Sequence, residues 1–185
     1  MSTVLLIIVG AVALLVIWLI AAYNGLIRRR NQVEEAWSDI EVQLKRRYDL
    51  VPNLVETAKG YMTHEREVFE NVTEARAGLV RGETQDKLRA DNMLESTLKT
   101  LFAVAENYPD LKANVNFLEL QRELTDTEDK IQAARRFYNG NVRDYNTAIE
   151  SFPTNVLAGA FHFTGKPLFD IDETGPEGQP VKVKF

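Results

Sequence analysis

The residues with the best claim to chemistry are His64 and Glu65, followed by Glu67 and Glu70 in the stretch "THEREVFE". A His-Glu pair on a helix is half of a zinc-peptidase pattern. A second histidine four residues after the first completes the ligand pair, and the Glu serves as general base. Val68 stands at that position, and the other histidine, His162, lies far along the chain among aromatics. The minimal ligand set is missing. These carboxylates read instead as helix-start acids beside the positive end of a helix dipole. No G-x-S-x-G turn and no Gly-rich phosphate loop occurs. The chain has no cysteine, which removes thiolate nucleophiles, zinc-thiolate sites and disulfides. The remaining acids spread along solvated helix faces, where salt-bridging is their ordinary role. The sequence therefore predicts a non-enzymatic protein with no catalytic, cofactor-binding or metal residues and no cofactor. A net charge of −5 argues against a nucleic-acid partner, which selects a basic face.

The elements that carry these residues begin with Val4 to Ala22, "VLLIIVGAVALLVIWLIAA", an uncharged run. Its roughly 19 residues suffice to cross a hydrocarbon core of about 30 Å as a helix. Trp18 and Tyr23 sit toward its C-terminal end, where amphipathic rings favour the membrane interface. A secretory signal would need a basic start, a shorter apolar core and an A-x-A site, and none of these is present. A retained transmembrane anchor is expected. Arg28, Arg29 and Arg30 follow the span and no Lys or Arg precedes it. The positive-inside rule then puts the N-terminus outside, the C-terminal domain in the cytoplasm and the arginines at the membrane surface.

Beyond the anchor the pattern is helical. A strict heptad joins Val33, Trp37, Ile40, Leu44, Arg47, Val51, Leu54, Ala58 and Tyr61, with Pro52 predicting a bend. Thr63 and Thr84 can cap two shorter helices, one with Val68, Val72, Ala75 and Leu79 on a face, the other with Leu88, Leu94, Leu98, Leu101 and Val104. From Asp110 a long fourth helix carries Phe117, Leu120, Leu124, Thr127, Ile131, Ala134, Tyr138, Asn141, Tyr145, Ala148 and Phe152, and Pro153 ends it. Trp37, Leu44, Leu54, Tyr138 and Tyr145 are helix-seam residues by this count. Thr127 and Asn141 are polar seam positions, suited either to fixing register or to a hydrogen-bonded layer. The fold class is all-α: a single N-terminal transmembrane helix over residues 1–25, an antiparallel bundle of about four helices, two long and two short, over 26–153, and an extended tail over 154–185 in which "VKVKF" alternates like a strand.

Two blocks carry a family resemblance. "YNGLIRRRNQVEEAWSDIEVQLKRRYDLVPNLVETAKGYMTHE" (Tyr23 to Glu65) resembles the signature of the LemA family of bacterial membrane proteins. "LQRELTDTEDKIQAARRFYNGNVRDYNTAIESFP" (Leu120 to Pro153) resembles that family's C-terminal motif. The resemblance implies a bacterial, membrane-anchored, mostly helical protein and no established catalytic residue. Some family members are associated with magnetosome membranes and others are encoded near membrane proteases. Some carry a lipid-attachment cysteine before the Tyr-Asn pair, where this chain has Ala21 and Ala22.

The basic triplet Lys45, Arg46 and Arg47 stands about 26 Å beyond Arg28 on a straight helix, too far for head-group attraction through physiological salt. An acidic partner is expected instead. An antiparallel fourth helix descending from Asp110 reaches the height of Lys45 near residue 126, so Asp126, Glu128 and Asp129 are the predicted interhelical partners. The same ruler brings Phe161, His162 and Phe163 close to lipid or to a neighbouring subunit. The resulting expectation is a single-pass protein of the bacterial cytoplasmic (inner) membrane. It self-associates as a homo-oligomer and acts as a scaffold or membrane organiser, with the lipid bilayer as a partner. The alternatives are an adaptor docking a membrane protein such as a protease, and a periplasmic C-terminal domain.

Overall fold

The computed structural model describes residues 2–79 and 84–169, without the side chains of 84, 85 and 88. Among them run α1 (Thr3–Lys59), α2 (Arg66–Gly78), α3 (Thr84–Ala105), α4 (Pro109–Lys112), α5 (Val115–Glu150) and α6 (Thr154–Ala160), and no strand occurs among the described residues. The expected all-α class is observed. Leu88, "VKVKF" and the rest of the tail from 170 lie outside the described side chains or residues. Two compact units emerge: Ser38–Arg135, here the bundle unit, and Met1–Trp37 with Arg136–Phe185, here the anchor unit.

In the bundle unit α1 and α5 run antiparallel, with Tyr61 beside Asn114 at one end and Arg46 beside Asp126 further along. The buried stripe of α1 is Ile40, Leu44, Arg47, Val51, Leu54, Ala58 and then Met62; Tyr61, expected on the seam, is exposed. A straight helix drifts about 20° per heptad from a strict 3.5-residue repeat, so the inward position slides to the next residue. Pro52 lies inside α1 and lacks the amide hydrogen that Tyr48's carbonyl would accept. Arg76 of α2 replaces it: Nε donates to Tyr48 O at 2.9 Å, and the guanidinium stacks 3.6 Å from the Tyr48 ring centroid.

α2 begins at Arg66 rather than at the Thr63 cap, and it buries Phe69, Val72 and Ala75, with Val68 half-buried. Gly78 lets α2 approach α3: a Cβ there would lie 2.8 Å from that of Ala90. α3 buries Leu94, Leu98, Leu101, Ala105 and also Asp91. The long helix expected from Asp110 is instead two elements. Asn114 interrupts it and caps α5 by accepting the Phe117 amide at 3.0 Å, the ordinary role of an N-cap side chain.

Along α5 the buried residues are Phe117, Leu124, Thr127, Ile131, Arg135, Tyr138, Val142 and Tyr145. The stripe steps by four at both 127–131 and 131–135, a stutter in the heptad. Arg135 and Val142 therefore point inward where Ala134 and Asn141 were expected, and both of those are half-buried. In the anchor unit α1 and α5 are again antiparallel, with Trp37 edge-on to Tyr138 at 5.7 Å and Arg29 Nη1 reaching Asp144 O at 3.5 Å. The residues after Pro153 are not extended from the start. Thr154 donates to the carbonyls of Ala148 (2.5 Å) and Ser151 (2.8 Å) at the end of α5, and the short α6 begins there; residues 163–169 then run without regular structure.

Candidate membrane collar, buried charge cluster and strap seat

Two acids close to His64 in sequence, Glu65 and Glu70, are engaged by other side chains. Glu65 accepts the Tyr108 hydroxyl at 3.0 Å, and Arg66 Nε pairs with Glu70 at 2.6 Å on the exposed first turn of α2. The carboxylate holds the Tyr108 hydroxyl protonated above its ordinary range, chiefly through that hydrogen bond. Among the described residues no group of three His, Cys, Asp or Glu side chains could hold a metal ion.

Lys45, Arg46 and Arg47 point three ways, as neighbours about 100° apart on a helix must. Lys45 is exposed and pairs within α1, to Asp49 at 3.2 Å, rather than across to α5. Arg46 reaches α5, 3.4 Å from Asp126 and 4.0 Å from Glu123. Lys130 sits 2.8 Å from Asp126 and holds that carboxyl below its usual range, mainly by their hydrogen bond, with Arg46 adding attraction. Asp129 is exposed on α5. Arg47 turns inward and is 2 % exposed; it pairs with Asp91 of α3 at 2.5 Å and with Glu128 of α5. Arg135 also binds Asp91 and reaches Asn92 at 3.2 Å.

Two guanidiniums and two carboxylates thus neutralise one another inside the bundle unit, which is how buried charge is tolerated. Thr127, also buried, donates to the Glu123 carbonyl of its own helix at 2.7 Å. Asp91 and Arg135 escaped sequence reading. Asp91 had a signal: it stands three residues before Leu94 on the Leu94–Leu98–Leu101 stripe, while Arg47 sat on another seam without a partner. Arg135 had none, because the stutter that turns it inward is decided by packing.

The anchor unit holds a different site. Residues 4–18 and Ile20 of α1 are exposed and apolar throughout, and the helix is long and apolar enough to cross a membrane. Just past the apolar stretch, Leu26 packs with Leu157 and Ala158 of α6, flanked by Leu19, Ala22, Ala148, Ile149 and Phe163. Tyr23 packs against Phe161 (tilted) and Phe163 (edge-on), with ring centroids 4.8 and 5.9 Å away. Arg28 and Arg29 are exposed, whereas Arg30 lies 4.0 Å from Glu34 and 5.9 Å from the Phe163 ring centroid.

Beyond α6 the chain lies along α5 as a strap. Asn146 accepts the Lys166 amide and donates to the Lys166 carbonyl, both at 2.9 Å. Asn139 does the same for Phe169, accepting at 2.7 Å and donating at 2.9 Å. Tyr145 and Tyr138 donate to Thr164 O (3.0 Å) and Pro167 O (2.9 Å). Burial raises both phenols above their ordinary range; for Tyr145, Arg30 opposes the rise and Glu34 adds to it. The signal was the repeat in "YNGNVRDYN": two Tyr-Asn pairs one heptad apart, placing four polar side chains on one helix face. Asn141, the polar residue singled out from the seam, donates to Phe137 O of its own helix at 3.1 Å.

The LemA family model matches residues 36–185. Protein LemA of Metamycoplasma hominis is 28 % identical over 152 residues, spanning 81 % of this chain and 69 % of its own. Magnetosome protein MamQ of Magnetospirillum gryphiswaldense is 24 % identical over 167 residues, 76 % of this chain and 61 % of that protein. Magnetosome protein MamQ 2 of Paramagnetospirillum magneticum is 24 % identical over 192 residues, 86 % and 71 % of the two chains. The matched segment takes in the buried charge cluster, the Tyr-Asn repeat and α6, well over half of the sequence, and the chain belongs to the LemA family.

Proposed function

We propose that this protein is a non-enzymatic, single-pass membrane organiser whose helical domain self-associates beside the bilayer, on the cytoplasmic side by the placement of Arg28, Arg29 and Arg30. The observation that carries the reading is the collar at the end of the span. α6 fastens to Leu19, Ala22 and Leu26 through Leu157 and Ala158, while Phe152, Val156 and Phe161 remain 83, 66 and 57 % exposed. Exposed aromatic and branched apolar groups beside the end of a transmembrane helix suit the interfacial zone, where the ring or chain leaves water at little cost. The exposed arginines add attraction to anionic head groups. Tethering in two dimensions raises local concentration, so weak interfaces between copies suffice. Relatives named as magnetosome proteins are tied by that name to a cellular structure rather than to a reaction.

Because the chain has no cysteine, single-cysteine variants report cleanly. In liposomes carrying a lipid-bound quencher, an environment-sensitive dye at Val156→Cys or Phe161→Cys should be quenched nearly as strongly as one at Ile20→Cys. A dye at Val115→Cys, exposed in the bundle unit, should not be. Equal absence of quenching at 115, 156 and 161 removes the collar's role. Sizing in mild detergent tests the second half: a defined homo-oligomer supports an organiser, whereas a monomer that retains one other membrane protein supports the adaptor reading.

A further inference from the structure

The strap seat is built to hold main chain. Asn139 and Asn146 each engage both the amide and the carbonyl of a single strap residue, as a neighbouring strand would, and the two tyrosines take carbonyls between and beyond them. Such contacts supply affinity without reading side chains, and one apolar anchor, Phe169 at 3 % exposed, fixes the register. Lys166 adds a rim contact, its Nζ 3.9 Å from Glu34. The strap reaches this seat through His162, whose φ of 55° lies in the left-handed region that non-glycine residues occupy at a cost. A hinge under local strain, joining a segment to a seat that recognises its backbone, is the arrangement from which identical chains exchange segments.

We infer that the seat also accepts the strap of a second copy, so that residues 163–169 exchange between neighbours and link copies of this chain side by side. The contacts within the seat are the same in either arrangement, while opening the hinge lets His162 return to ordinary backbone angles. Anchoring in one membrane keeps a second strap close enough to compete with the chain's own. The inference deepens the self-association proposed above and rests on it.

The test uses the full chain in membranes with two co-expressed variants, one carrying Glu34→Cys and the other Lys166→Cys, treated with a short bis-maleimide. Exchange predicts a covalent pair containing one of each. Adding Asn139→Ala and Asn146→Ala to both copies should lower its yield roughly tenfold or more, from the loss of two bidentate contacts. Circular dichroism of that variant verifies that the helices persist. His162→Gly, which accepts the closed hinge without strain, should shift about fivefold toward same-chain linkage, read as loss of the mixed pair and gain of an internal link in the Glu34→Cys, Lys166→Cys double variant. An oligomer that yields no mixed pair overturns strap exchange and leaves self-association standing. A monomer with only the internal link overturns both. A Glu34→Cys chain cross-linked instead to a different polypeptide overturns the second-copy occupant.

Discussion

Asp91 is fully buried between two guanidiniums, and its worth depends on what is left behind when it is removed. Asp91→Ala removes the carboxylate that Arg47 and Arg135 share, and a buried pair broken on one side costs about 3–5 kcal/mol. Asp126→Ala removes an exposed partner of Arg46 and Lys130 and should cost no more than about 1 kcal/mol. Urea midpoints of the detergent-solubilised protein should separate the two clearly; equal midpoints would mean that the cluster is solvated. Replacing all four charges together, Arg47→Met, Asp91→Leu, Glu128→Met and Arg135→Met, should be far milder than Asp91→Ala alone, because no charge is then left unpaired.

Pairs of elements meet through small, replaceable devices. Arg76→Ala should destabilise by about 1–3 kcal/mol, since Tyr48's carbonyl loses the donor that stands in for the Pro52 amide. In a Pro52→Ala background, where the helix supplies that amide itself, the same change should cost clearly less. Additive costs in a double-mutant cycle would show that Arg76 acts solely through the Tyr48 ring. Gly78→Ala pushes a methyl into Ala90 and should cost about 1–3 kcal/mol, with Ala90→Gly restoring most of it in thermal unfolding. The strap has its own pH signature. Burial raises Tyr138 and Tyr145 above the unfolded value of about 10, so their contribution is complete below that pH and is lost as pH rises through the folded values. A spin label at Lys166→Cys should therefore become mobile in alkali together with the last tyrosinate absorbance to appear. A label that stays immobile after every tyrosine has ionised would show that the hydroxyls do not hold the strap.

Over the whole chain, the segments proposed to meet lipid all belong to the anchor unit: the apolar part of α1, the arginines after it, and α6. The bundle unit contributes the buried charge cluster and an exposed polar surface. That division gives a topology prediction. Asp110→Cys, exposed in the bundle unit, should react with a membrane-impermeant maleimide only after the cells are opened. Labelling of intact cells would place the helical domain on the other side of the membrane and reverse the positive-inside reading of Arg28 to Arg30.

The all-α class, the apolar span and the antiparallel register of α1 and α5 are legible in the sequence because each follows from a local repeat: an unbroken apolar run, or a 3.6-residue periodicity whose rise per residue is constant. Asn114 as the break ahead of α5 and the Tyr-Asn repeat were also legible, though a seam count absorbed the tyrosines and passed over the asparagines beside them. Other features required the tertiary structure. The seam count already turned Arg47 inward; where the α5 stripe skips to Arg135, and that Arg135 and Asp91 of α3 meet at Arg47, depend on rotation about helix axes. That rotation is set by side-chain packing between segments far apart in sequence, and no periodicity within one helix encodes it. The strap follows the same logic: residues 163–169 carry no pattern of their own, and their path along α5 is imposed by the partner that satisfies their backbone.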